Sequence, residues 1–580
     1  MEVFSNHAKS RVFMPGLIET AMLFERFPKI GFYLNVGEFT SCELTPLSSE
    51  KIEEMKKKLA SLTLQNKLLL YVLGLRRGEF YFLLKDWLAQ DAKRVLLFWE
   101  EDLAVFDAFA RCPEAEEVLK CRQVHLHYVE NLEKWKDDVV RLAFQFRVVG
   151  VDVIGGVDAD PDRVEYCRLE ILRRHVVSEG FFVETINAAE CPRNILRNLS
   201  HLPRASHVNQ WRGAFPNIPA IICGAGPSLD HSLEELRSVD KKALIIAGGS
   251  ALSVFSQANV EPHLALAIDP NTLEYSCLQN MKLKQAPFIF VTRLNHKVLS
   301  LVADLPLGCI TSQVGGIGNW IDRDLGLDQQ PLTDFFGIEE QSVTSLALHL
   351  AVFLGCDPII LVGVDLAYTE GRLYAKGGLN EEKIDYETLK EKAFQTRHQP
   401  LWREDVYGNQ TLTRLQWVME SSAIALFAKY YSDRRFINAT AGGLGFDSIC
   451  HLPLKKALKD SCQKEYDLRE RIAQLLDKHR LPVSKEMVKA FQERFDQSVQ
   501  RALVLCRAYL KEIEKGNIIP TGKMVLYEYD LQEEPIYQFL LKETENCSEL
   551  RFYDSEKERL ARKWKNFLEI LLDLSSPQEE

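Results

Sequence analysis

The sequence predicts an α/β protein built on a doubly wound, mostly parallel sheet. Three observations carry this. Five apolar runs of strand length (IPAIIC, KALIIA, HLALAID, PFIFVT and PIILVGVD) lie between residues 218 and 365, with helical segments or turn signals between them. They are continuous rather than alternating, as strands buried on both faces are. From about Leu454 the chain turns into long charged amphipathic segments such as KEYDLRERIAQLLDKHR, which predict a helical C-terminal region.

At 580 residues the chain exceeds one ordinary hydrophobic core, and its 46% hydrophobic and 26% charged residues fit a soluble globular protein. A formal net charge of −11 argues against a general nucleic-acid or membrane-surface binder, while leaving room for a local basic pocket that takes a phosphate. The start, MEVFSNHAKSRVF, lacks signal architecture, and no apolar run approaches the ~20 residues that span a bilayer. Thirteen cysteines are scattered singly from Cys42 to Cys547 without a CxxC pair, which suits reduced thiols in a cytoplasmic protein.

In chain order, residues 1–50 form an N-terminal arm or cap, and Ser48 to Leu59 reads as a charged helix. An N-terminal Rossmann-like α/β domain is expected over 51–210. There LLLYVLGLRRGEF and VLLFWEEDLAVF give a strand, a glycine turn, a helix and a second strand ending in acid. With only Gly74 and Gly78 in the turn, a retained scaffold is favoured over a working ligand site. QWRGAFPNIP mixes aromatic, proline and glycine residues without periodicity and marks a boundary. The central catalytic domain is placed at 211–453 and the helical C-terminal domain at 454–580.

IPAIICGAGPSLDHSLEEL is the most informative stretch. Gly224 and Gly226 let the backbone turn tightly after a buried strand, and Pro227 and Ser228 open a helix whose free N–H groups suit phosphate. Gly226 is expected to serve backbone approach to a ligand rather than packing. Leu229 stands where the third glycine of a dinucleotide fingerprint would be, which disfavours hydride transfer. A merely tight turn is the other reading. AGGSALSVF places Gly248, Gly249 and Ser250 one strand later, and HLALAID ends in Asp269-Pro270-Asn271. Asp269 suits a ribose hydroxyl, a sugar or a metal, and equally a turn before proline. Gly224, Gly249, Asp269 and Asp365 are expected on one cleft at the carboxyl ends of the strands.

Ser342 or Thr344 caps a helix that Gly355 and Pro358 stop, and Asp365 emerges from the next buried strand. Tyr368, Thr369, Arg372, Tyr374 and Lys376 follow, a mixture of hydroxyls and cations that suits a phosphate leaving group. His349 lies among apolar residues and reads as a packed core histidine. His398, in the polar FQTRHQPLWREDVYGN, is the better candidate base, with Arg397 and Arg403 as anion binders.

CGAGPSLD, AGGSAL, AIDPN, SLALHLAVFLGCDPIILVGVDLAYTEGRLYA, VYGN and FINATAGGLGF occur in this order. That pattern resembles the Maf (motility accessory factor) family, whose central domain is shared with the 6-hydroxymethylpterin pyrophosphokinase MptE. The resemblance is strong over about 215–450, weaker over 60–205 and general in the C-terminal helices. It implies a cytoplasmic bacterial glycosyltransferase that moves a nonulosonic acid from a CMP-sugar to flagellin serine or threonine. The core also resembles the bacterial sialyltransferase fold. Gly224, Gly226, Pro227 and Ser228 match the GNGPS turn that contacts CMP there, although Ala225 replaces its asparagine and one donor contact is absent. Asp365 matches the aspartate of a GIDFY motif whose tyrosine is missing; Tyr368 stands one position later, Tyr374 lies near the second phosphate-binding tyrosine, and His398 falls near the histidine base.

The resemblance therefore implies His398, Asp365, Tyr374 and Tyr368 as catalytic, and the cation Arg372 in the loop after Asp365 joins them from the residue pattern. Gly224, Gly226, Pro227 and Ser228 are implied as donor-binding by the resemblance, and Gly248, Gly249, Ser250, Asp269, Asn271, Ser342 and Thr344 are added as donor-binding from their places at strand ends and helix starts. The CMP-sugar is a substrate rather than a cofactor, no metal ligand is assigned, and a divalent metal is compatible but not implied. The partners expected are a nucleotide sugar and an acceptor protein, with no nucleic acid and no membrane span. Two other functions are open: pyrophosphoryl transfer to a pterin, and a non-catalytic flagellin-binding accessory role.

Overall fold

Strand-length runs with every side chain buried have to lie between two helical layers, and the large sheet shows that arrangement. It is seen in a computed structural model that describes residues 18–575 apart from 41, 147–149, 187–189, 313–315, 328–330, 333–341, 380–383, 393–394, 516–519, 538–539 and 541–555. The N-terminal segment MEVFSNHAKSRVF, Cys547 and Gly516 lie outside the described residues. These residues divide into two compact units, Met1–Val176 with Ala393–Thr396, and Val177–Lys392 with Arg397–Glu580.

In the first unit, β1 (Leu69–Leu73), β2 (Val95–Glu100), β3 (Val124–Tyr128) and β4 (Val151–Gly155) form a parallel sheet in the order β3-β2-β1-β4. The glycine turn after β1 is tied up internally. Arg77 holds both oxygens of Glu114 at 2.7 Å, Arg76 pairs with Asp158 at 2.8 Å, and Glu100 accepts the Leu75 N–H at 3.0 Å. Its cations and its acid thus serve the scaffold.

The large sheet of the second unit holds nine described strands, all parallel to their neighbours: β5 (Ala205–His207), β6 (Ala220–Cys223), β7 (Leu244–Gly248), β8 (Leu264–Ala267), β9 (Phe288–Val291), β10 (Leu307–Ile310), β11 (Ile359–Val362), β14 (Phe436–Asn438) and β15 (Cys450–His451). Their order is β15-β14-β11-β6-β7-β8-β9-β10-β5. An antiparallel hairpin, β12 (Pro400–Glu404) with β13 (Gln410–Arg414), stands apart from the sheet. The five apolar runs are β6, β7, β8, β9 and β11.

Side chains alternate between two buried layers along each strand. Ile221, Ile245, Ala265 and Phe288 face one core, and Ile222, Ile246, Leu264 and Ile289 the other. The helix Lys485–Glu514 buries Phe491, Phe495, Val499 and Cys506 in the first of these cores, so the C-terminal helices pack against the sheet. The aperiodic QWRGAFPNIP lies under the second layer, with Trp211 and Phe215 fully buried. Every described cysteine is a free thiol, and no described helix is long and apolar enough to cross a membrane.

Candidate functional site

Strand order reverses between β6 and β11: β7 to β10 extend to one side of β6, and β11 then returns on the other. Such a switch point is where open α/β sheets bind ligands. Here the backbone fills much of that crevice itself. The Gly224 and Gly226 N–H groups donate to the Val362 and Gly363 carbonyls at 2.9 and 2.8 Å. Ser228 donates its N–H to Asp365 Oδ2 at 3.1 Å and its hydroxyl to Oδ1 at 2.6 Å. On the far side, Gly443 adopts φ +79° against the Asp365 backbone, and the Leu444 N–H donates to the Asp365 carbonyl. Burial pushes the Asp365 carboxyl up, and the hydrogen bonds from Ser228 pull it partly back.

The turn at 224–229 is therefore a joint. A Cβ on Gly226 would collide with the Asp365 carboxylate, and one on Gly224 would stand 2.5 Å from the Gly363 carbonyl. The expectation that Gly226 serves ligand approach is corrected: its missing side chain makes room for Asp365. Pro227 and Ser228 open only the short 3₁₀ turn Pro227–His231. Arg372 is bound as well, donating to Asp230 at 2.9 Å and to Glu370 at 2.7 Å.

Polar groups converge instead over β7 and β8. Gly248 and Gly249 allow close approach of Val343, and Gly249 at φ +52° turns the chain into the helix Ser250–Ala258. Ser250 shares hydrogen bonds with Tyr374 and with Cys277. Asp269 follows β8, and Asn271 caps the helix Thr272–Leu278 by accepting the Glu274 N–H at 3.1 Å. Asn271 is thereby occupied as a cap.

Glu274 is 7% exposed, and its Oε1 is buried without a hydrogen-bond partner. Burial and then the neighbouring Asp269 push its pKa up to about 8. Asp269 is itself raised by burial, partly offset by Arg293. Tyr374 feels the charges of Glu274, Cys277 and Arg414, and Tyr368 hydrogen-bonds with Arg414. Burial raises both tyrosines, so each keeps its hydroxyl proton at neutral pH.

Arg414 ends β13, precedes the helix Leu415–Tyr430, and lies over the Trp417 ring at 4.1 Å. Glu420 on that helix accepts the Ser342 hydroxyl at 2.6 Å, while Ser342 caps its own helix, Val343–Phe353, through the Ser345 N–H. Thr344 lies half-buried in the first turn of that helix. His398 also feels Arg414, but burial first, then Arg414 and Arg397, push it down to about 3. His349 stacks on Phe427 at 4.8 Å, a packed ring as expected. Asp405 accepts the Tyr407 and Asn409 N–H groups at 2.8 Å and serves the hairpin turn. Among the described residues no group of three or more His, Cys, Asp or Glu side chains is placed to hold a metal.

The structure thus links Ser250, Asp269, Tyr368, Tyr374 and His398 in one electrostatic neighbourhood, and sets Gly224, Gly226, Ser228, Asp365 and Arg372 in the joint beside it. Glu274, Arg293, Arg414 and Glu420 stand out in no sequence motif. The only signal for Glu274 is its place three residues after Asn271, which reads as a helix-capping acid.

Residues 193–371 match the family model described as 6-hydroxymethylpterin diphosphokinase MptE-like. Among solved structures the chain is similar to the Maf glycosyltransferase from Magnetospirillum magneticum AMB-1, at 14% identity, with 96% of this chain and 94% of that chain covered and a TM-score of 0.48. No curated protein matches the chain by sequence.

Proposed function

We propose that this MptE-like chain is a glycosyltransferase that moves a nonulosonic, sialic-acid-like sugar from a CMP-sugar to serine or threonine hydroxyls of an acceptor protein such as flagellin. The observation that carries the reading is the pairing of opposite chemistries in one electrostatic neighbourhood. The Arg414 guanidinium and the protonated Tyr368 hydroxyl interact with Tyr374, and Tyr374 in turn with Glu274, which feels the charge of Asp269. A guanidinium with hydroxyl donors stabilises charge growing on a departing phosphate. Carboxyls suit the hydroxyl-rich sugar and the attacking alcohol. The donor and the protein acceptor come from the motif resemblance.

Nucleotide binding separates this reading from others. CMP is expected to raise the melting temperature, since a ligand of the folded state stabilises it by mass action. Incubation with a CMP-nonulosonate and flagellin is then expected to add the sugar's mass to the acceptor. Stabilisation by ATP alone would point to pyrophosphoryl transfer, and no response to CMP, ATP or GDP would point to a non-enzymatic role.

A further inference from the structure

Glu274 is a buried carboxyl without a hydrogen bond at Oε1, beside Asp269 and within electrostatic reach of Tyr374. Buried side-chain oxygens nearly always have partners, so an orphan set among other polar groups marks a place where a ligand supplies one. Its helix does not need it, because Asn271 already accepts the first-turn N–H. Two other acids of the unit are occupied: Ser228 holds both oxygens of Asp365, and Ser342 donates to Glu420.

We propose that Glu274, working with Asp269, is the base that takes the proton from the acceptor hydroxyl; this rests on the transferase reading above. In the step, the acceptor O–H bond breaks and its proton goes to a Glu274 carboxylate oxygen. The freed oxygen pair forms the bond to the anomeric carbon. The bond from that carbon to the phosphate oxygen breaks, and its electron pair leaves on CMP, beside Arg414 and the two tyrosines. Solvent then takes the proton from Glu274.

The groups facing Glu274 are Asp269 past β8, Cys277 on its own helix and Tyr374 in the loop after β11, with Arg293 beyond Asp269 and Arg414 beyond Tyr374. Burial and then Asp269 hold the proton on Glu274 to a higher pH, so a minor fraction is carboxylate at pH 7. Turnover is expected to rise with pH through about 8.

The test is kcat for transfer against pH, with CMP affinity by calorimetry, on the full chain and on E274Q, E274D and D269N. E274Q is expected to lower kcat by roughly 10²–10⁴-fold with CMP affinity unchanged. E274D, which keeps a carboxylate, is expected to retain part of the rate and an alkaline rise, which separates a lost base from lost folding. D269N is expected to move that rise to lower pH. E274Q at full kcat, or with a rate loss matched by lost CMP affinity, overturns the assignment and leaves the transferase reading intact. An unmoved midpoint in D269N overturns the pairing. A wild-type chain that binds CMP but transfers from no CMP-sugar overturns the transferase reading, and the base with it.

Discussion

Ser228 and Asp365 grip each other twice, hydroxyl to Oδ1 at 2.6 Å and N–H to Oδ2 at 3.1 Å, across the point where β6 and β11 lie side by side. Asp365 is 1% exposed, so neither donor would find water if the carboxylate were removed. D365A is expected to lose about 2–3 kcal/mol of stability, the cost of burying donors without an acceptor. Chemical denaturation measures it. Full stability with weakened nucleotide binding would instead make Asp365 a ligand contact.

Two glycines should respond in opposite directions. G226A forces a methyl group into the Asp365 carboxylate and is expected to destabilise by about 1–3 kcal/mol, as overpacking does. Gly180, inside the helix Pro161–Ile186, has nothing within 4 Å of its would-be Cβ. G180A is expected to stabilise by about 0.5–1 kcal/mol through helix propensity. Urea midpoints of the two variants decide the matter.

The raised carboxyl of Glu274 makes stability depend on pH. Its ordinary value is 4.5 and its folded value about 8, so between these the folded chain holds a proton that the unfolded chain releases. The contribution is fully present below about 4.5 and is lost as pH rises through about 8. Melting curves from pH 5 to pH 8.5 should show the wild type falling relative to E274Q, at roughly the pH values that bracket this titration. Parallel curves would show that Glu274 titrates normally.

His398 is held neutral across the working range, because burial, Arg414 and Arg397 keep it near 3. The pH–rate profile is therefore expected to lack a histidine inflection near ~6.5, and H398A to slow transfer by less than about 10-fold, below the usual loss for a general base. A loss of 10²-fold or more with CMP affinity intact would restore His398 as the base.

Arg414 is placed by the hairpin end and by its stacking on Trp417. R414A is expected to weaken CMP binding by roughly 10-fold or more, the scale of a lost charge-assisted hydrogen bond to phosphate. R414K should recover only part of this, since an ammonium neither stacks nor forks as a guanidinium does. Calorimetric titration with CMP checks both.

The large sheet was readable because β6, β7, β8, β9 and β11 sit in runs that are apolar throughout, and a short apolar run closed by turn residues has to be buried on both faces. The strands β5, β14 and β15 carry two or three residues each and leave no period to read, and the apolar run of β10 is broken by Gly308. The turns at 224–229 and 248–250 were also legible, but whether their amides were free was not. That depends on β11 lying beside β6, a contact between distant parts of the chain. Arg414 and Glu420 were invisible for the same reason: each looks like an ordinary helix residue until the hairpin and the helix that follows bring them to Tyr368 and Ser342.

The strand order also imposes a timetable on synthesis. β6 to β9 can assemble as successive neighbours while the chain is being made, since each pairs with the next. β5 leaves the ribosome before any of them, yet Ala205 pairs with Leu307, and its free side is later covered when the Leu481 N–H reaches the Ala205 carbonyl. Until β10 appears, the growing chain carries an unpaired strand edge, the kind of template that invites association between nascent chains. β11 then has to insert beside β6 rather than add to the growing end, so closure of the switch point by Ser228 and Asp365 comes late. The same residues that hold the crevice together also set when it can form.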